Sequence, residues 1–327
     1  MSNILLQACS KEEIKIQNKN EVAVPFEINN SPESLFSILF ESNSYTVNRI
    51  LLLPFRKSNE AVTNEDINFI PDFSEAKQFD INSFPAYATM LNLTAGYSYK
   101  VMVIGYNRND YNFANPATTG TRFAINSISS PTQLDNIQLS LASPVSTPEF
   151  FVCTCDASVN NVSLGNIFIP QQNLKLSGSL KRIVSGLSLE IINIPDFVDS
   201  ISLVAEQLVT AVKVKDATAT VWQTAGDTGN KILGIQTPSD NKVSFGINLL
   251  PSFDAHKAKL FLDIHYGQFT DRYTVKVNDV AGVSSSNSII FLPNQVVNIT
   301  GDYSNIDIGF TISGSINLDD DSWDGLQ

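Results

Sequence analysis

At 327 residues the chain is long for one domain and sized for two, at about 100–200 residues each. A hydrophobic share of 43% with 17% charged residues excludes a disordered chain, and a net charge of -12 repels nucleic-acid phosphates. Three cysteines are too few for a disulfide framework, and no apolar run reaches the ~18 residues of a membrane-spanning helix.

Residues 1–20 are largely polar, and within them LLQACSKEE at 5–13 sets Cys9 between a short apolar run and a charged one. From residue 21 onward, apolar and polar residues alternate with period two in short segments separated by Asn, Asp, Gly, Ser and Pro clusters. That pattern predicts an all-β, antiparallel protein of sandwich type. EVAVPFEI puts Val22, Val24, Phe26 and Ile28 on one face, and Pro25, which cannot donate to a ladder, predicts an edge strand. SPESLFSILFES at 31–42 stays open between a helix started by Ser31 and Pro32 and a strand carrying Phe36, Ile38 and Phe40. YTVNRILLLPF reads as a core strand with Arg49 inside it.

GYSYKVMVIGY aligns Tyr97, Tyr99, Val101 and Val103, with one face buried and one wet. YNRNDYNF at 106–113 and WQTAGDTGNK at 222–231 are polar, aromatic loops of the kind that carry recognition, or turns with an aromatic packed beneath. Cys153 and Cys155 in FFVCTCDA would have Cα atoms about 6.5–7 Å apart on an extended strand, which predicts packed thiols rather than a bridge. IFIPQQNLKLSGS at 167–179 reads as a hinge. The expected organisation is a leader and tether at 1–20, a first sandwich at 21–174, a second at 175–318 and an acidic tail at 319–327.

In the second half, LKRIVSGLSLEI aligns Ile183, Leu187, Leu189 and Ile191 against Arg182, Ser188 and Glu190. KLFLDIHY aligns Leu260, Leu262, Ile264 and Tyr266, and YTVKV aligns Tyr273, Val275 and Val277. YSNIDIGFTISGSINL places Ile306, Ile308, Phe310, Ile312, Ile316 and Leu318 on one face, with Gly314 the only gap.

No catalytic set accompanies these strands. His256 and His265 are the only histidines, and neither a G-x-S-x-G elbow nor a G-x-x-x-x-G-K phosphate loop occurs. NLDDDSWDG, with Asp319, Asp320, Asp321 and Asp324, lacks the Gly and Glu of a calcium loop and reads as a solvated tail, so no metal or cofactor is expected. N-x-S/T triplets at 92–94, 161–163 and 298–300 read as chance matches in an Asn-rich sequence.

Three stretches, in order, resemble the Bacteroidales fimbrillin superfamily of pilus subunits, anchors and surface lipoproteins. They are LTAGYSYKVMVIGYNRN at 93–109, LSGSLKRIVSGLSLEIINIPDFVDSISL at 176–203, and SSNSIIFLPNQVVNITGDYSNIDIGFTI with its acidic SWDGLQ tail. The resemblance implies two tandem transthyretin-like β-sandwiches and a non-enzymatic role in fimbriae or adhesion. Partners would be other fimbrillin-like subunits or a host or glycan ligand, and not nucleic acid. A stand-alone glycan- or host-ligand-binding lipoprotein without a pilus is the alternative.

LQAC, with Leu6, Ala8 and Cys9, resembles a lipoprotein cleavage box, and Ser10, Lys11, Glu12 and Glu13 resemble the export signal of lipoproteins displayed on the cell surface. The resemblance therefore implies a lipid on Cys9 holding the chain at the outer membrane. Otherwise Cys9 is an unmodified thiol in a frayed terminus. MSNILLQA has only Ile4, Leu5 and Leu6 before the box where a signal peptide wants about 7–15 apolar residues, so the true start is expected upstream.

In the family, a C-terminal strand inserts into the next subunit after that subunit's first strand is cut away behind an Arg. Here the first Arg is Arg49, so Val22, Val24, Phe26 and Ile28 are expected to be retained. Residues 306–318 are either the last strand of the second sandwich or a donor strand.

Overall fold

The computed structural model describes residues 21–29, 47–87, 90–117, 119–126, 132–145, 147–223, 231–253, 257–278, 285–286, 289–306 and 310–317. Among them there is no α-helix, only strands and short 3-10 turns, and the fold is all-β. The ambiguous 31–42 segment lies outside the described residues, as do Cys9, Ser10, Lys11, Glu12, Glu13, His256, Ile308, Leu318 and the 319–327 tail.

Two strands that are apolar along their length build the first body. Arg49–Lys57 (RILLLPFRK) and Tyr99–Tyr106 (YKVMVIGY) pair antiparallel, with Arg49 opposite Tyr106 and Arg56 opposite Tyr99. Every residue of Tyr99–Tyr106 is buried, which corrects the expectation of one wet face. Tyr99, Val101 and Val103 pack with Ile50 and Leu52 on one side of the sheet. Met102, Ile104 and Tyr106 pack with Leu51, Leu53 and Phe55 on the other. A sheet covered on both faces needs apolar residues at consecutive positions rather than alternate ones. Phe151–Thr154 and Lys181–Arg182 extend this sheet beyond Tyr99–Tyr106, and Phe69–Pro71 and Lys77–Asp80 pair with Arg49–Lys57.

One covering layer contains Val162–Gly165, Asp156–Val159, Leu174–Ser179, Phe26–Asn29 and Ala86–Tyr87 in that order, beside the pair Glu21–Val24 and Leu91–Thr94. The opposite layer has the order Ala219–Trp222, Val209–Lys213, Gln138–Leu141 and Phe123–Ile125. Its first two strands come from the second half of the chain, and Val212 sits opposite Leu139. This excursion turns at Gln207 (φ 61°) and again at Ala217 (φ 60°). It buries Val209, Val212 and Val214 against Ile104 and Phe123. The first body is thus three layers about a central sheet.

The second body is a two-layer sandwich. One sheet runs Val243–Leu249, Ser185–Ile192, Gln295–Asp302, Phe310–Asn317, Val277–Asn278 and Ser285–Ser286, and the other runs Lys231–Gln236, Ser200–Glu206, Lys259–Tyr266 and Phe269–Thr274. Leu187, Leu189 and Ile191 meet Ile201, Leu203, Leu260, Leu262 and Ile264 between them. For Ser185–Ile192 and Lys259–Tyr266 the period-two expectation matches the side that is buried.

Two local readings change. Arg182 is buried rather than on a wet face: its guanidinium pairs with Glu149 at 3.2 Å and lies over the Phe151 ring at 5.1 Å. Ile183 belongs to the first body's core and Leu187 to the second's, so the chain passes between bodies there. Strand pairing with the first body continues beyond the expected 174/175 division through Leu174–Ser179 and Lys181–Arg182.

Candidate functional site: the first and last strands

Residues 21–29 enter the first body's covering layer in two pieces. Glu21–Val24 pairs antiparallel with Leu91–Thr94, and Phe26–Asn29 lies between Leu174–Ser179, to which it is parallel, and Ala86–Tyr87, to which it is antiparallel. Val24, Phe26 and Ile28 are buried, and Val22 packs on the same cluster. Pro25 marks an edge for Glu21–Val24, which has a single neighbour in its two-stranded sheet, but not for Phe26–Asn29, which lies between two strands. It stands where the chain leaves one sheet for the next, so no ladder donor is needed there, and its carbonyl accepts from the Leu176 N–H at 3.0 Å.

The thiols of Cys153 and Cys155 lie beneath the neighbouring strand and are free, as the spacing predicts. A Cβ built on Gly178 would stand 2.7 Å from Cys153 Sγ and 3.8 Å from Cys155 Sγ, so any side chain at this position in the strand beside Ile28 would have to displace the Cys153 sulfur. Burial, helped by Asp156, pushes the Cys153 thiol up to about 12 and Cys155 well above the usual range. Neither is a nucleophile at neutral pH. A cleft of ≈ 550 Å³ opens alongside, lined by Cys153, Thr154, Asp156, Ser177, Lys181 and Lys215 among others.

At the other end of the chain, Ile306 is in the second core but follows the 3-10 turn Tyr303–Asn305, so it is not part of a continuous last strand. The strand proper is Phe310–Asn317, containing Phe310, Ile312 and Ile316, and it pairs antiparallel with Gln295–Asp302 and parallel with Val277–Asn278. Its register shifts between Asn298 and Ile299: Asn298 is opposite Gly314 and Ile299 is opposite Ile312. Ser313 is the extra residue of a bulge. Ile312 and Ile316 therefore do not continue one uninterrupted alternation, and Gly314, the gap in the apolar pattern, sits at the irregularity.

The loop YNRNDYNF follows the packed alternative. Tyr106 and Tyr111 are buried with Phe123 and Phe150, and Asp110 pairs with Arg122 at 3.0 Å. Trp222 packs edge-on to Phe253 at 6.4 Å, and 224–230 lie outside the described residues. His265 Nε2 lies 2.9 Å from Ser202 Oγ, a pairing that could activate a nucleophile. Its Nδ1, however, meets the Thr270 hydroxyl at 2.9 Å rather than a carboxylate, and Ser202 is 2% exposed. A substrate cannot reach that oxygen. Among the described residues no group of three or more His, Cys, Asp or Glu is placed to hold a metal, and no helix is long and apolar enough to cross a membrane.

The residues that sequence reasoning passed over are Phe197 and Phe269, 62% and 69% exposed. Each has a local signal: PDF at 195–197 is a proline-led turn, and HYGQF at 265–269 is a two-residue hairpin turn flanked by aromatics.

No protein-family model matches the chain, and no curated protein matches it. Among solved structures 29 chains match. A candidate cell adhesion protein from Bacteroides eggerthii is 12% identical, with 91% of this chain and 96% of that one covered and a TM-score of 0.49. A candidate adhesin from Bacteroides ovatus is 12% identical over 86% and 91%, with a TM-score of 0.48. The fimbrial anchor protein Mfa2 from Porphyromonas gingivalis is 13% identical over 90% and 96%, with a TM-score of 0.43.

Proposed function

We propose that this chain is a non-enzymatic adhesion protein of fimbrillin type, displayed at the cell surface by a lipid on Cys9, with its first strand retained. The observation that carries this reading is the packing of residues 21–29. Phe26 and Ile28 fill the layer between Leu174–Ser179 and Ala86–Tyr87, and Val24 is buried beside Leu91. A subunit that accepts a neighbour's strand must have that slot empty, because strand addition uses the same main-chain bonds and side-chain positions. A filled slot suits an anchor or a free-standing surface protein rather than a shaft subunit.

Arg49, the first arginine and the position at which a shaft-type cut would fall, supports the same reading. It begins the central strand, paired to Asp80 at 2.6 Å and to Tyr106 across the sheet. A protease needs exposed, extensible backbone, which this position does not offer. Anchoring through Cys9 rests on LQAC and SKEE; several acyl chains at ~0.8 kcal/mol per buried CH₂ would make it effectively permanent. Tandem transthyretin-like domains and an outer-membrane location belong to this proposal. The test is mass spectrometry of the membrane fraction from a full-length gene. A lipid-modified mature chain beginning at Cys9 is expected. An unmodified Cys9 thiol overturns the anchor, and surface material beginning at or after Ile50 overturns strand retention.

A stand-alone ligand-binding lipoprotein is the second reading, favoured by the exposed Phe197 and Phe269. Polymer ladders on unboiled gels decide for a pilus component, and a monomer that binds glycans decides for the binder.

A further inference from the structure

We propose that one end of the second sandwich is a saccharide-binding platform, made by Phe197, Tyr266 and Phe269 with Asp271 and Asp199, and that it takes neutral oligosaccharides. The proposal rests on the adhesion reading only in supplying its ligand.

Tyr266 and Phe269 are opposite one another across a two-residue Gly267-Gln268 turn, with Gly267 at φ 58°. Their rings stack at 5.9 Å with 28° between planes, and Phe197 from the 193–199 loop meets Tyr266 edge-on at 6.1 Å. By register and period two, Phe269, Asp271 and Tyr273 share the face of Tyr266, Ile264 and Leu262. The core beneath that face ends near Tyr266, so the aromatic row runs past it toward solvent. Two Phe rings more than three-fifths exposed at adjoining turns are an apolar surface that folding does not use.

The rings are held in place before any ligand arrives. Asp199 accepts from the Gly267 N–H at 2.6 Å, and the Asp199 N–H donates to the His265 carbonyl at 2.8 Å. Together these bonds tie the loop that carries Phe197 to the hairpin that carries Phe269. Tyr266 donates its hydroxyl to Asp271. A platform ordered in advance loses little entropy on binding.

The chemistry around the rings selects the ligand class. A pyranose presents a face of C–H groups made slightly positive by the ring and hydroxyl oxygens, which suits the negative face of an aromatic ring. Its hydroxyls are donors, and the carboxylates of Asp199 and Asp271 are acceptors beside the rings. Asp199, Asp271 and a net charge of -12 disfavour uronate or sulfate groups. A neutral hexose chain satisfies all three conditions.

The test is calorimetric titration and saturation-transfer NMR of the intact protein with cellohexaose, mannohexaose and a β-galacto-hexaose at millimolar concentration, with hexagalacturonate as the anionic comparison. At least one neutral hexaose is expected to bind, and its ring C–H protons to take up saturation when the protein's aromatic resonances are irradiated. The double variant F197A/F269A should weaken it by about tenfold or more, F269Y should keep it, and hexagalacturonate should bind more weakly. Because both Phe side chains are exposed, the variants fold, as unchanged thermal midpoints will record. The proposal is overturned if no neutral hexaose binds or if the double variant binds as the parent does. Neither outcome touches the lipid or strand-retention readings, which are measured on the mature chain by mass.

Discussion

Gly178 shows how narrowly single residues constrain this fold. A methyl group there would stand 2.7 Å from Cys153 Sγ, which would have to move, while Ile28 Cδ1 at 3.4 Å and Cys155 Sγ at 3.8 Å would be in ordinary contact. Gly178→Ala should cost about 1–3 kcal/mol, the usual cost of overpacking, read as a lower urea midpoint. Combining it with Cys153→Ala should return part of that loss, since the two atoms compete for one space. The burial of Cys155 predicts that iodoacetamide leaves it unmodified in native protein and labels it in urea, as peptide mapping will show. Packed thiols could be read from the C-x-C spacing, but the glycine could not, because Gly178 and Cys153 meet only after strands distant in sequence come together.

At the scale of elements, the strand at 21–29 is the most informative. Its alternation was legible, and Val22, Val24, Phe26 and Ile28 do share the core side. Its neighbours were not, because a parallel pairing with Leu174–Ser179 leaves no mark on either segment. Ile28→Ala should destabilise the protein by about 2–5 kcal/mol with an unchanged urea m value, as expected for a cavity at a fully buried site. The Val209–Trp222 hairpin was passed over in the sequence, both as strand and as part of the first body. Only its contacts with Leu139, Phe123 and Ile104 identify the surface that its valines cover.

Across the whole molecule, ion pairs tie the excursion hairpin to the first body. Asp66 lies between Lys100, beneath it in the central sheet, and Lys215 at the hairpin turn. Burial pushes the Asp66 carboxyl up, but hydrogen bonds and charge from both lysines outweigh it and hold the group below the ordinary carboxylate range. Hydrogen bonding and charge from Arg49 do the same for Asp80. A carboxyl lowered in the folded state contributes stability above its unfolded value, about 3.9, and loses it as pH falls through the folded value. Asp110 has the opposite sign: burial raises it, so its contribution is present at low pH and fades as pH rises through the folded value. The lowered pair predicts a thermal midpoint that falls below about pH 4. In Asp66→Asn that acid step should shrink while stability at pH 7 drops, measured by melting across pH 3–7.

What the sequence determined by itself was the class of structure and, for strands with one wet face such as Ser185–Ile192 and Lys259–Tyr266, the side that is buried, because period two is a local property of the backbone. It also held, in the unbroken apolar runs ILLLPF and VMVIG, a sign that one sheet would be covered on both faces. Tertiary structure alone decided which elements cover that sheet, where the chain passes between bodies and which aromatics remain in solvent. Tyr106 and Phe269 both stand beside turns, yet one is in the core and the other at the rim. The difference is whether another layer arrives above the ring, and the hydrophobic effect rewards apolar area removed from water without regard to where in the chain the covering residues lie.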